Sequence, residues 1–291
     1  MADTIGWIGV GSMGHRMCRH LTAAGYPLVV WDAASTERAP PEAQIANGTA
    51  EVARLADIII LSLPDGNVSE AVAGELAAAS ERRVKTVIDT STIGIRAAQA
   101  VDAILANANI EFIDAPVSGG TAGADKATLA VMIACPSASF ERLKPLIALM
   151  GKPFHVGPQP GQGQAVKLLN NFLSATALAA TSEAIAFGTR QGIDMKTILD
   201  IVNASSGRNS ATDDKFPRRI MLDKYDAGFA AKLQLKDIRL YLENARAAGI
   251  ADEVARTVVG VWEEMNAAMP GADITEMYPY TVNGRRRPQS S

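Results

Sequence analysis

Four polar residues, Lys167, Asn170, Asn171 and Ser174, recur at i, i+3, i+4 and i+7, the spacing that puts them on one stripe of an α-helix. Between them stand Leu168, Leu169, Phe172 and Leu173, which are expected to face packing. A lysine set among apolar neighbours gives up its proton more readily than a solvated one, which suits it to acid–base chemistry. The competing reading of such a stripe, favoured for an arbitrary helix, is a solvated polar face. The three histidines, His15, His20 and His155, have no evident catalytic partner in the sequence, so proton transfer has to be sought elsewhere. There is no His-Glu-x-x-His and no Cys/His cluster to hold a metal.

A second group sits near the N-terminus. An apolar run from Ile5 to Val10 enters a loop with Gly9, Gly11 and Gly14, and a helical pattern follows from Met17 to Ala24. Strand, G-x-G-x-x-G, helix is the arrangement that binds a dinucleotide. The first glycine permits the turn, the second admits the pyrophosphate to the backbone, and the third lets helix and strand pack closely. Ser12 and Met13 lie in the same loop, where free N–H groups at the helix start favour anions. The next apolar run, Leu28 to Trp31, ends in Asp32, placed to accept hydrogen bonds from the adenosine ribose. Ser118-Gly119-Gly120 offers a hydroxyl and unencumbered N–H groups to an anion such as a carboxylate, or else forms a tight turn with a capping serine. Taken alone, Lys236-Asp237 is an ordinary exposed charge pair.

The elements that must hold these residues are legible in the apolar pattern. Strands are predicted at 5–10, 28–31, 58–63, 86–89, 110–117, 129–135 and 153–156, with at most a short one near Gln44. Helices are predicted between them, one opening after Ser91-Thr92 as caps. Alternating strands and helices predict a doubly wound, parallel α/β sheet. Ligands collect beyond the carboxyl ends of such strands, which adds Leu63 and Pro64 to the candidate site. After Gly157-Pro158-Gln159-Pro160-Gly161 the pattern turns helical throughout. One helix of about 27 residues, roughly 40 Å long, is expected from Gln164 to Arg190, followed by helices at 195–203, 213–222, 231–248 and 252–268. The reading is a Rossmann-type domain over 1–160 and an all-α domain built on one long helix over 161–291. The tail with Arg285-Arg286-Arg287 reads as a solvated segment.

A length of 291 residues allows two domains, and a net charge of −3 gives no pull toward nucleic acid or anionic membrane. Cys18 and Cys135 form no disulfide framework. With no signal-like N-terminus and no long apolar run, a cytoplasmic protein without membrane or nucleic-acid partners is expected. The long helix is too apolar for a domain of this size to cover alone at Phe172, Leu178 and Phe187, which predicts a homodimer or homotetramer through the helical domain.

Four motifs occur in order: Gly9-x-Gly11-x-Met13-Gly14-x-x-Met17, Asp114-Ala115-Pro116-Val117-Ser118-Gly119-Gly120, Gly161-x-Gly163-Gln164-x-x-Lys167-x-x-Asn170-Asn171, and Lys236-Asp237-Ile238. In this combination the chain resembles the β-hydroxyacid dehydrogenase family, whose best-known members are 3-hydroxyisobutyrate dehydrogenases. The resemblance implies an NAD-dependent oxidoreductase that moves a hydride between a 3-hydroxy acid and the nicotinamide. It implies Lys167 as the acid/base, Asn171 as the residue orienting the substrate, and Ser118, Gly119 and Gly120 as the binders of the substrate carboxylate. It also implies Lys236 near both substrate and cofactor, supported by Asp237, and Thr92 on the nicotinamide side. Family members that use NADP usually carry Asn-Arg-Ser/Thr where this chain has Asp32-Ala33-Ala34-Ser35, so NAD is expected over NADP. Ser205 to Thr212 lies where members of that family vary with substrate, many with an aromatic residue a few positions after Gly-Arg; the small, polar stretch here therefore implies a polar or larger substrate than hydroxyisobutyrate. An imine reductase shares the fold but usually replaces the helix lysine. A non-catalytic NAD-binding module would be expected to have lost it.

Overall fold

The computed structural model of the protein describes residues 3–284; the arginine-rich tail at 285–291 lies outside them. The chain packs as two compact units, one ending at Lys167 and one beginning at Leu168.

In the first unit β1 (Ile5–Ile8), β2 (Leu28–Trp31), β3 (Gln44–Ile45), β4 (Ile58–Leu61), β5 (Thr86–Asp89) and β6 (Glu111–Asp114) are all parallel, in the order β3-β2-β1-β4-β5-β6. This is the doubly wound order, with its reversal point between β1 and β4. Side chains alternate across the sheet. Ile5, Trp7, Ile58 and Ile60 enter one core with Met17 and Leu21 of α1 (Gly14–Ala23) and Leu143 and Ile147 of α6 (Ser137–Ile147). Ile8, Ile59 and Leu61 enter the other with Val52 of α2 (Thr49–Leu55), Leu76 of α3 (Gly66–Ala78) and Val101 of α4 (Ile95–Ala106). Burial on both faces explains why Ile58 to Leu61 is an unbroken apolar run. Cys18 and Cys135 are free and buried, and burial pushes their thiols up to about 12 and about 11, so they serve as neutral core residues.

Three details differ from the pattern-based expectation. The apolar run 110–117 is not one strand. It breaks at Ala115-Pro116, because proline has no N–H for the ladder, and resumes as β7 (Val117–Ser118), which leads through the short helix α5 (Gly120–Asp125) to β8 (Leu129–Ala134), antiparallel to it. With β8 also antiparallel to β6, and β9 (Gly151–Gly157) parallel to β8, the sheet is mixed at this end. Ser91 and Thr92 do not cap α4. Its N-cap is Gly94, at φ +85°, and Ser91 Oγ instead accepts a hydrogen bond from Leu63 N at 2.7 Å. The third difference is in the second unit, where 213–222 is not one helix. A π-turn (Ala211–Lys215), a single helical turn α9 (Phe216–Arg218) and a 3₁₀ turn (Ile220–Leu222) follow one another around Pro217.

The second unit is helical: most of α7 (Gln162–Arg190), then α8 (Met195–Asn203), α10 (Ala231–Ala247) and α11 (Glu253–Ala268). Leu178, Leu199, Phe216, Ile238 and Trp262 form its core, and Trp262 Nε1 donates to Ala175 O at 3.3 Å. Among the described residues no helix is long and apolar enough to cross a membrane.

Candidate active site

The glycines of the first loop divide by what a side chain would meet. A Cβ on Gly9 would lie 2.2 Å from Ser62 O, and Gly9 has φ +96°. A Cβ on Gly14 would lie 1.9 Å from Gly9 O. These two positions are closed by the protein itself. A Cβ on Gly11 would meet nothing within 4 Å. The open space is therefore at the middle glycine, with Ser12 exposed and Met13 half-buried beside it, which is the cradle a pyrophosphate needs. Asp32 stands at the end of β2. Its Oδ2 accepts from Val10 N at 2.7 Å, and its Oδ1 accepts from Ala34 N at 2.8 Å and Ser35 N at 3.2 Å. The carboxylate is thereby fixed against the glycine loop, as ribose recognition requires, and these residues fit a dinucleotide. Leu63 is tied to the segment carrying Thr92 through the Leu63 N to Ser91 Oγ bond, while Pro64 is exposed.

Ser118 ends β7 and is half-buried. Gly119 and Gly120 are exposed, with φ of +137° and +63°, and a Cβ on Gly120 would meet nothing. The turn thus presents accessible backbone, as an anion-binding turn must.

Lys167 is buried, although it lies on the stripe that an arbitrary helix would turn to water. The helix start that carries it is pinned by a network whose role the sequence reading did not assign. Gln164, fully buried, donates from Nε2 to Asp114 Oδ1 at 2.8 Å and to Ser91 O at 3.1 Å, and its Oε1 accepts from Ile93 N at 2.9 Å and Gly94 N at 3.1 Å. Asp114 Oδ2 accepts from Gly161 N at 2.9 Å and Gln164 N at 3.2 Å. Burial pushes the Asp114 carboxyl up to about 6, against the pull of the Gln164 and Gly161 hydrogen bonds, and Asp89 on β5 adds to the rise.

Such a raised carboxyl contributes stability that is fully present below its unfolded value and is lost as pH climbs to about 6. Relative to Asp114→Asn, the wild type is expected to lose on the order of 3 kcal/mol of unfolding free energy as pH rises from about 4 to about 7, and nothing further above that. Urea unfolding of both proteins across this range checks it; a pH-independent difference would refute it.

In the second unit Asn171 is buried. Its Nδ2 donates to Asp237 Oδ2 at 2.6 Å, and its backbone carbonyl accepts from Gln234 Nε2 at 3.0 Å. Asp237 is also buried and lies 3.2 Å from Lys236 Nζ through Oδ1. The structure therefore brings Asn171, Lys236 and Asp237 together, and Asp237 fixes the Asn171 amide. Gln234, on α10 with Asp237, is a further contributor that no sequence motif marked. One correction concerns the helix flanks: Leu168 is buried and Phe172 stacks on Tyr241 at 4.2 Å, but Leu169 and Leu173 are 42% and 60% exposed. The polar stretch 205–212 is ordered by Asn209, whose Oδ1 accepts from Ala211 N at 2.8 Å and whose Nδ2 donates to Thr181 Oγ1 at 3.2 Å; Arg208 pairs with Asp213 at 3.1 Å.

Residues 4–158 match the NAD-binding domain of 6-phosphogluconate dehydrogenase, and residues 161–281 match the NAD-binding domain of NADP-dependent 3-hydroxyisobutyrate dehydrogenase. Among curated relatives, 2-(hydroxymethyl)glutarate dehydrogenase of Eubacterium barkeri is 34% identical over 90% of this chain and 95% of its own. The NAD-dependent L-serine dehydrogenase of Pseudomonas aeruginosa is 34% identical over 84% of this chain and 85% of its own. A solved 3-hydroxyisobutyrate dehydrogenase of Mycobacterium tuberculosis, with L-serine, superposes with a TM-score of 0.89 at 27% identity, covering 98% of this chain and all of that one. The chain belongs to the β-hydroxyacid dehydrogenase family and is an enzyme of the 3-hydroxyacid dehydrogenase type.

Proposed function

We propose that the protein oxidises the hydroxymethyl group of a 2-substituted 3-hydroxypropanoate, using NAD in preference to NADP. The observation that carries this reading is the buried Lys167 on a helix start anchored to the dinucleotide-binding unit. Hydroxymethylglutarate, serine and hydroxyisobutyrate, named for the relatives, share one chemistry: a CH₂OH on the carbon bearing the carboxylate. They differ only in the third substituent, and the polar segment 205–212 favours a polar one here. When bound, the nicotinamide would supply the acceptor for the hydride, with its electron pair, that leaves the hydroxyl-bearing carbon. Lys167, as the neutral amine, takes the hydroxyl proton, leaving an aldehyde. Asn171 orients the substrate, with Asp237 holding its amide. Ser118, Gly119 and Gly120 receive the carboxylate, and Lys236 complements its charge. Gly9, Gly11, Ser12, Met13, Gly14 and Asp32 hold the pyrophosphate and ribose, with Leu63, Pro64, Thr92 and Lys236 toward the nicotinamide end. Retention of Lys167 favours this reading over imine reduction or a non-catalytic dinucleotide-binding role. Initial rates with acids of this class, each with NAD and NADP, test it. Failure of every such acid to reduce either dinucleotide would overturn it.

Cofactor choice rests on Asp32. Its backbone-fixed carboxylate accepts ribose hydroxyls and repels a 2′-phosphate. Wild-type kcat/KM is expected to favour NAD, and Asp32→Ala to narrow the ratio by about tenfold. Equal wild-type efficiency with both cofactors would contradict the assignment.

Assembly rests on α7. Leu178 is covered by its own unit's core, so it needs no partner, but Leu173 and Phe187 are 60% and 69% exposed. Large apolar side chains left in water on one helix favour a homodimer or homotetramer through this face. Sedimentation at micromolar concentration is expected to give a multiple of the monomer mass; monomer alone would refute it. We place the enzyme in the cytoplasm, a setting that suits two free, buried cysteines.

A further inference from the structure

A helix start is ordinarily satisfied by a serine, threonine, aspartate or asparagine adjacent to it in sequence. Here α7 draws its acceptor from β6: Asp114 takes the N–H groups of Gly161 and Gln164, 47 and 50 residues away. Gln164 then spends all its amide capacity, two donor and two acceptor bonds, inside the protein. Three of those bonds go to Ser91, Ile93 and Gly94, the backbone on both sides of Thr92. The fit is close: a Cβ on Gly163 would come within 2.6 Å of Met132 O and 3.0 Å of Asp114 Oδ2, and a Cβ on Gly161 within 2.8 Å of Ile95 Cγ2. Gln164 stands one helical turn before Lys167. A buried carboxylate is costly to keep when a local cap would serve. The arrangement fixes one turn of α7 to one loop of the sheet, and those two pieces carry Lys167 and Thr92.

We propose that Asp114 and Gln164 are positioning residues for the reaction: together they set Lys167 in register with the segment around Thr92, so that proton transfer and hydride transfer share one geometry. This rests on the reading of Lys167 as the proton-transfer group. A misplacement of about 1 Å at a reacting group costs up to about 100-fold in rate, so the bonds act on turnover rather than on dinucleotide affinity.

The test compares Gln164→Met, which keeps length and loses all four side-chain amide hydrogen bonds, with Lys167→Ala and wild type, reading thermal stability, dinucleotide Kd and kcat on the same samples. In folded Gln164→Met, kcat is expected to fall about 10- to 100-fold while dinucleotide Kd stays within about twofold. A second pair gives an independent readout. Gln164→Glu sets a carboxylate against Asp114, and adding Asp114→Asn restores a donor facing an acceptor. The double variant is expected to recover at least about tenfold in kcat over Gln164→Glu alone. Should Gln164→Met keep kcat within about twofold of wild type while Lys167→Ala is severely impaired, the clasp is only a structural fastening; the proposal fails and the role of Lys167 stands. The proposal fails equally if the double variant folds like wild type and recovers no turnover. If Lys167→Ala itself keeps wild-type turnover, the reading of Lys167 fails first.

Discussion

Lys167→Ala is expected to fold, bind NADH and lose about 10²- to 10⁴-fold in turnover, the worth of a positioned general acid–base. Lys167 is buried on the first turns of a helix whose start is held by other residues, so its removal leaves that anchorage in place. Lys167→Arg is expected to be nearly as inactive, because a guanidinium does not release its proton near neutral pH. Alcohol oxidation by the wild type is expected to rise with pH if Lys167 is the base, and the Ala variant to lose that limb. Retention of more than about a tenth of wild-type turnover, with hydride transfer limiting, would make Lys167 a buried polar residue without a chemical role. Lys236, paired with Asp237 at 3.2 Å, would then be the next group to examine.

Gly11→Val is expected to abolish useful cofactor binding while leaving the fold intact. Its Cβ would meet no protein atom, so unfolding free energy should change by less than about 0.5 kcal/mol. The branched side chain would fill the cradle and block the N–H groups proposed to hold the pyrophosphate. Hydrogen bonds to a charged group contribute about 1.5–3 kcal/mol each, so losing two raises Kd for NADH by about 100-fold or more. Gly14→Ala is the opposite case: its Cβ would sit 1.9 Å from Gly9 O, so it should destabilise the protein whether or not cofactor is present. NADH titration and thermal unfolding of both variants separate the two. Equal stability losses would mean that Gly11 is a structural turn residue.

The parts of this fold that were legible in the sequence are those set by local pattern. Ile58 to Leu61 reads as a doubly buried strand because both its faces are covered, and α7 is legible because nothing between Gln164 and Arg190 breaks a helix. The misread points have local causes as well. Pro116 interrupts a run that hydropathy alone joins, and Pro217 splits an expected helix into turns. Burial on α7 was the least accessible feature. Periodicity showed that Lys167 and Asn171 share a stripe but not which side of the helix is covered, and the outcome inverts the usual rule: the lysine is buried while Leu169 and Leu173 face water. The Asp114–Gln164 contact was out of reach for a different reason. Both residues stand inside recognisable motifs, but only the tertiary fold brings positions 50 apart to 2.8 Å. A buried aspartate closing an apolar strand, followed much later by a glutamine in a glycine-flanked helix start, is the sequence signal such a contact leaves.

The most direct test of the enzyme's assignment follows the hydride itself. A 2-substituted 3-hydroxypropanoate carrying deuterium on the hydroxyl-bearing carbon is oxidised with NAD, and the reduced dinucleotide is analysed by mass spectrometry. One deuterium transferred to the nicotinamide per aldehyde formed, with no deuterium lost to water, is the predicted result. Reduced dinucleotide without the label, or deuterium released to solvent in place of transfer, would contradict it.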